Sequence, residues 1–141
     1  MISLRLQGTE EKGLRNIAPG PRYVALLLAA FAVLAAFYAI CIATAMLPFN
    51  SGSWVVGEEI AMRGWLGYLL SALVHCAAAI ALWKQWRFAR WPAVLLLAIG
   101  LLPAVPGMSS AVMDLRIAGI ALWGTLIILR TSALYVLMST D

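Results

Sequence analysis

The chain has 141 residues, of which 64% are hydrophobic and 11% charged, with a formal net charge of +4. Ordinary soluble domains carry about 25% charged residues, so a water-facing surface cannot be built around this much apolar side chain. The basic residues lie in the flanks of apolar runs and not in a stripe interleaved with aromatics, which argues against nucleic acid as a partner.

Residues 1–22 form a polar, basic segment with Arg5, Lys12, Arg15 and Arg22. It is too short to bury a core of its own. The first apolar run, 23–47, contains no acidic or basic residue and exceeds the roughly 20 helical residues needed to cross a hydrocarbon core. Ala43-Thr44-Ala45 resembles a signal-peptide cleavage site, but a secretory apolar region spans only about 7 to 15 residues, so an uncleaved transmembrane helix is expected. A lipoprotein site at Cys41 fails because bulky Ile40 precedes the cysteine. Ala35, Ala39 and Ala43 recur every fourth position, as do Ala25, Ala29 and Val33, giving a smooth flank on which another helix can pack closely.

The connection that follows carries Trp54 and the adjacent acids Glu58 and Glu59. Neighbouring residues on a helix point about 100° apart, so these two make a poor cooperating pair and read as a solvated loop. The second span, 64–83, again lacks acids and bases, and its small residues Gly67, Ser71, Ala72, Cys76, Ala77 and Ala81 are packing candidates. It also contains His75, the chain's single histidine. The turn from Trp83 to Trp91, rich in tryptophan and basic residues, is a topology device that carries no function of its own.

The third run is less regular. Its uninterrupted part, 91–105, gives about 22 Å of helix against a core of about 30 Å. Pro103, Pro106 and Gly107 then break it, although the chain stays apolar as far as Asp114. Two readings follow: a short helix with an apolar hairpin in the outer interface, or a bent span over about 89–108. The last span, 113–138, contains Gly119, Ala121, Gly124, Thr125 and Arg130, and Arg130 is expected to snorkel to the inner headgroups. Asp114 is expected to pair with Arg116 or Arg63 near the opposite border.

The expected fold is therefore an all-α integral membrane protein, a four-transmembrane-helix bundle with a membrane domain over 23–138 and a tail of 139–141. Lys and Arg collect before the first span and in the turn after the second, which places both termini in the cytoplasm of a bacterial inner-membrane protein. Interfacial tryptophans agree, with Trp54 and Trp65 at the outer border and Trp83, Trp86 and Trp91 at the inner one, whereas Trp123 falls within the bilayer.

Chemical constellations are sparse. One histidine rules out a haem held between two histidines of this chain, and a His-rich zinc site. His75, Tyr38 and Thr125 lie at similar depths, about 16, 13 and 12 Å from the outer ends of their helices. The favoured reading is a neutral His75 bonded to Tyr38 or to a backbone carbonyl, with Thr125 able to join. Ligation of a pigment or haem, or proton relay, is the competing one. Cys41 and Cys76 lie at depths too different for a disulfide and read as packing residues.

No catalytic residue, metal site or cofactor is expected beyond this weak His75 candidate. Lipid contacts are expected, with another integral membrane protein or a second copy of the chain as partner. The expected role is that of a non-catalytic accessory or assembly subunit of a larger membrane complex. A membrane immunity or exclusion protein against a pore-forming toxin is the alternative. A small homo-oligomeric channel, transporter or holin-like pore is the weakest, because polar residues do not line one helical face.

Overall fold

The computed structural model describes residues 19–48 and 51–139, with the side chains of all but 19, 58 and 59 among them. They form α1 (Pro19–Ala43), α2 (Ser53–Val56), α3 (Glu58–Ala61), α4 (Trp65–Trp83), α5 (Arg90–Ile99), α6 (Ala104–Met113) and α7 (Ile117–Ser139), with no strand. Four stretches are long and apolar enough to cross a bilayer: Gly20–Ala43, Trp65–Trp83, Arg90–Met113 and Ile117–Ser139. The protein is an all-α, multi-pass membrane protein built as a four-span bundle.

Local chemistry sets the helix boundaries. Proline has a fixed φ and no N–H, both of which suit a first turn, and Pro19 opens α1. Residues 19–22 of the polar segment are thereby helical, while 1–18 lie outside the described residues. Three helices end in the same way, with a non-glycine residue in the left-handed region: Ala45 (φ 56°), Gln85 (φ 54°) and Leu115 (φ 52°). Behind each, the next residue's N–H reaches back five positions: Met46 to Cys41 at 2.9 Å, Trp86 to Ala81 at 3.0 Å and Arg116 to Ala111 at 2.9 Å. This closure satisfies carbonyls that a helix end otherwise leaves open.

The third span is a bent helix and not a hairpin. It unwinds over residues 100–103, resumes as α6, and runs antiparallel to α7 along its whole length. At one end Arg90 Nη2 donates to the carbonyl of Met138 at 3.1 Å. Further along, Gly100 faces Arg130, Gly107 faces Trp123 and Gly119 faces Ala111. The apolar residues beyond the break that suggested an interfacial hairpin are the lipid-facing and α7-facing sides of α6.

Two apolar clusters form the core. At the end of the bundle that carries the 84–89 turn, Val24 and Leu28 of α1, Ala79 and Leu82 of α4, Ala93 and Leu97 of α5, and Ala133 and Leu137 of α7 bring all four spans together. At the other end, the cluster comprises Phe31, Ala35, Ala39 and Ile42 of α1, Tyr68 and Ala72 of α4, Leu126 of α7, and Val55, Val56 and Ala61 from the 44–64 connection. No residue of α6 belongs to that second cluster. The connection fills part of the space instead, so what was read as a solvated loop is partly a plug folded into the bundle.

The small-residue flanks need one correction. Ala35 and Ala39 are buried, at 0% and 4% exposure, but Ala43 is exposed and Val33 is 69% exposed. A spacing of four advances about 40° per step round a helix of 3.6 residues per turn. The buried face of α1 instead mixes spacings of three and four through Leu28, Phe31, Ala35, Ala39 and Ile42. On α4, Gly67, Ser71 and Ala72 are buried, whereas Cys76 and Ala77 are exposed.

Candidate functional site: a cavity beside a buried arginine

A cavity of about 680 Å³ lies between α4 and the α5–α6 break, beneath the α2–α3 connection. Val55, Val56 and Gly57 line it from the connection, Gly67, Ser71 and His75 from α4, and Gly100 and Gly107 from the bent span. Trp123 and Arg130 complete the wall from α7. The space exists because α6 leans on α7 and α4 leans on α1, while prolines and glycines at the break supply little side-chain bulk to fill the gap.

Arg130 is the least expected member. It is only 3% exposed. Its Nη2 donates to the carbonyl of Val55 at 3.2 Å, and its Cζ lies 4.9 Å from the centre of the Phe31 ring, a cation–π contact. Opposite it stands Gly100, where a Cβ would strike the guanidinium. The single ion pair among the described residues is the exposed one between Arg116 and Asp114, at 3.0 Å. A guanidinium has five N–H donors, and the bond to Val55 uses one of them.

Arg130 therefore does not snorkel. Helical side chains lean toward the N-terminus of their helix, so on α7 this side chain points toward the 44–64 connection and away from the nearer, C-terminal end. It also shares a face with Trp123, Leu126, Ala133 and Leu137, which turn inward. That three-and-four spacing was readable in the sequence, and it ran against the usual behaviour of an arginine near a helix end.

His75, 8% exposed, is held by its own helix. Nδ1 lies 2.8 Å from the carbonyl oxygen of Ser71 and 3.3 Å from its Oγ. A carbonyl only accepts, so Nδ1 donates and carries a proton, and in the neutral form of the ring Nε2 is then the acceptor. Of the two partners expected for His75, the backbone carbonyl is the one found. Tyr38 instead packs edge-on against Trp54, with ring centroids 6.1 Å apart, and against Tyr68 at 6.0 Å. Thr125 is exposed and its hydroxyl donates to the carbonyl of Ala121, one turn back, at 2.7 Å. Equal depth did not bring these three side chains together, because they occupy different helix faces.

The roof is fixed by two further contacts. The N–H of Gly52 donates to the Tyr68 hydroxyl at 3.1 Å, and Tyr68 is fully buried. Gly67 lies so close to the carbonyl of Ile60 that a Cβ there would collide with it. The side chains of Glu58 and Glu59 are outside the described ones. Cys41 is buried and Cys76 exposed, and both are free thiols.

Chemically, the wall offers a guanidinium, an imidazole, the hydroxyls of Ser71 and Ser110, and the more exposed Arg63 amid apolar side chains. This set can hold a negatively charged or hydrogen-bond-accepting group. No family model matches the chain, and neither a curated protein nor a solved structure matches it.

Proposed function

We propose that this chain is a non-catalytic, membrane-embedded binding protein that serves as an accessory or assembly subunit of a larger membrane complex. The observation that supports this reading is Arg130, enclosed among four spans beside a cavity and without an acidic partner among the described residues. A charge in the bilayer core is expensive, and such residues mark functional positions by default. A cation, an imidazole and hydroxyls around an apolar space serve retention of a ligand. The 84–89 and 114–116 turns are short, so at those two links the bundle offers a partner chiefly its membrane-embedded faces.

The charge distribution supports an inner-membrane protein with both termini in the cytoplasm, since Lys84, Arg87 and Arg90 crowd the turn at the same end as Arg22. Purification of the full chain from its native membrane in mild detergent tests the accessory role. A second membrane protein present in stoichiometric amount is the expected result. A pure homo-oligomer that conducts ions after reconstitution would replace this reading with a pore, and a captured toxin would replace it with immunity.

A further inference from the structure

We propose that the cavity takes the anionic head group, a phosphate or a carboxylate, of a membrane amphiphile, with Arg130 as its counter-charge and the apolar tail leaving sideways into the bilayer. This rests on the reading of the chain as a binding protein and adds the class of ligand; it does not depend on the accessory role.

The first support is the arginine itself. It is 97% buried, being 3% exposed, and it lines the cavity with one of its donors engaged by Val55. Phosphate and carboxylate are the groups whose paired oxygens match a guanidinium fork. The described polar side chains around it are Arg63, Ser71, His75 and Ser110, and no carboxylate is among them. The Arg130 guanidinium, with Arg63 on the same wall, thus favours an incoming anion, and the low dielectric of the site strengthens that attraction.

The second support is the direction in which the cavity opens. Leu70, Val74, Ile99 and Leu102 line it, and they are also 58%, 45%, 57% and 71% exposed on the surface of the bundle. These residues belong to spans in the bilayer, so the opening between α4 and the α5–α6 break faces acyl chains. A ligand that arrives through an apolar gap and ends at a buried cation needs an apolar tail and an anionic head. The volume of about 680 Å³ exceeds that of a phosphate or carboxylate alone and leaves room for the first part of a chain.

The test uses the full chain purified in a neutral detergent and equilibrated separately with oleate, phosphatidic acid, phosphatidylcholine and inorganic phosphate. Native mass spectrometry then counts what stays bound. A single adduct of oleate or phosphatidic acid, retained at least tenfold better than phosphatidylcholine, is expected. Arg130→Gln should reduce it at least tenfold, and Arg130→Lys should restore part of it. Val74→Trp, which narrows the lateral opening without touching Arg130, should also reduce it, and this variant decides the matter if Arg130→Gln does not fold.

Equal retention of phosphatidylcholine, several adducts indifferent to both substitutions, or binding of inorganic phosphate without either amphiphile would each overturn the proposal. Retention of a visible-absorbing pigment through His75 would overturn the ligand class while leaving the chain a binding protein. Absence of any adduct, both from the native membrane and with every probe, would overturn the binding reading as well.

Discussion

The guanidinium of Arg130 donates a 3.2 Å hydrogen bond to the carbonyl of Val55, a residue 75 positions earlier in the chain. The bond ties the last span to the connection between the first two, at a level where no residue of the bent third span joins the apolar cluster. Arg130→Met should therefore act locally. A neutral side chain of similar length can fill the space, and burying it removes the charge penalty, so global stability should change little. The buried Val55 carbonyl loses its partner, which costs the connection locally about 1 to 3 kcal/mol. Hydrogen exchange in detergent should report faster exchange across 52–61 with α1 and α4 unchanged; uniform acceleration across the bundle would show that Arg130 supports the whole fold instead.

The Tyr68 hydroxyl holds the other side of the same segment by accepting from Gly52 N–H. Tyr68→Phe preserves the ring and its packing but leaves a buried donor unsatisfied, which costs about 1 to 3 kcal/mol. A lowered thermal midpoint in detergent is expected. An unchanged midpoint would mean that the Gly52 amide finds another acceptor.

Gly67 tests the approach of α3 to α4. A methyl group at this position would meet the Ile60 carbonyl, a backbone atom with little freedom to move. Gly67→Ala should cost on the order of 1 to 3 kcal/mol through overpacking, despite the better helix propensity of alanine. Gly124→Ala is the control, because nothing lies within 4 Å of a Cβ built there. Equal responses of the two variants would contradict the packing described for Gly67.

His75 separates packing from chemistry. Its Nδ1 proton engages a carbonyl of its own helix, so His75→Leu removes a second bond to that acceptor and leaves only the Ser71 hydroxyl, 3.3 Å from the same nitrogen, without its imidazole neighbour. A change within about 1 kcal/mol is expected for His75→Leu, with no shift in the visible spectrum of the purified protein. Loss of an absorption band, or of the activity of a native complex, in a folded His75→Gln variant would assign the ring a ligating or proton-carrying role, since an amide neither titrates near neutral pH nor ligates like imidazole.

Orientation in the membrane follows from the distribution of basic residues. Once Cys41 and Cys76 are replaced by alanine, a single cysteine at Met62, which is 78% exposed, should react with an impermeant thiol reagent in intact cells. One at exposed Lys84 should react only after the cells are opened. The reverse pattern would invert the topology.

Much of the fold was legible because long apolar runs and turn residues act locally. The run at 64–83 lies close to α4. The run at 113–138 covers α7 up to its last residue but starts four residues early, because Met113 closes α6 and 114–116 form the turn, and the turn at 84–89 falls within the stretch rich in tryptophan and basic residues. The candidate site was far less legible. Its central relationships, Arg130 with Val55, Gly100 with Arg130 and Gly67 with Ile60, join segments whose approach depends on how far the 44–64 connection descends between the spans. Hydropathy carries no signal for that descent. His75 stood out as a buried polar residue with Tyr38 or a backbone carbonyl as its partner, and the structure has the carbonyl; depth alone could not say that Tyr38 and Thr125 face elsewhere.

The burial of Arg130 also bears on how the chain is made. Its stretch has the lowest mean hydropathy of the four, 1.7 against 2.7, 1.8 and 1.9, and an arginine near the middle of a solitary inserting helix opposes entry by about 2.5 to 3.5 kcal/mol. Within the bundle the same side chain meets a carbonyl and an aromatic ring supplied by segments synthesised before it. The last segment should therefore be the one whose release from the insertion machinery is helped by its predecessors waiting beside the exit, and a ribosome stalled before the third segment would leave the first two without the arginine that anchors their connection.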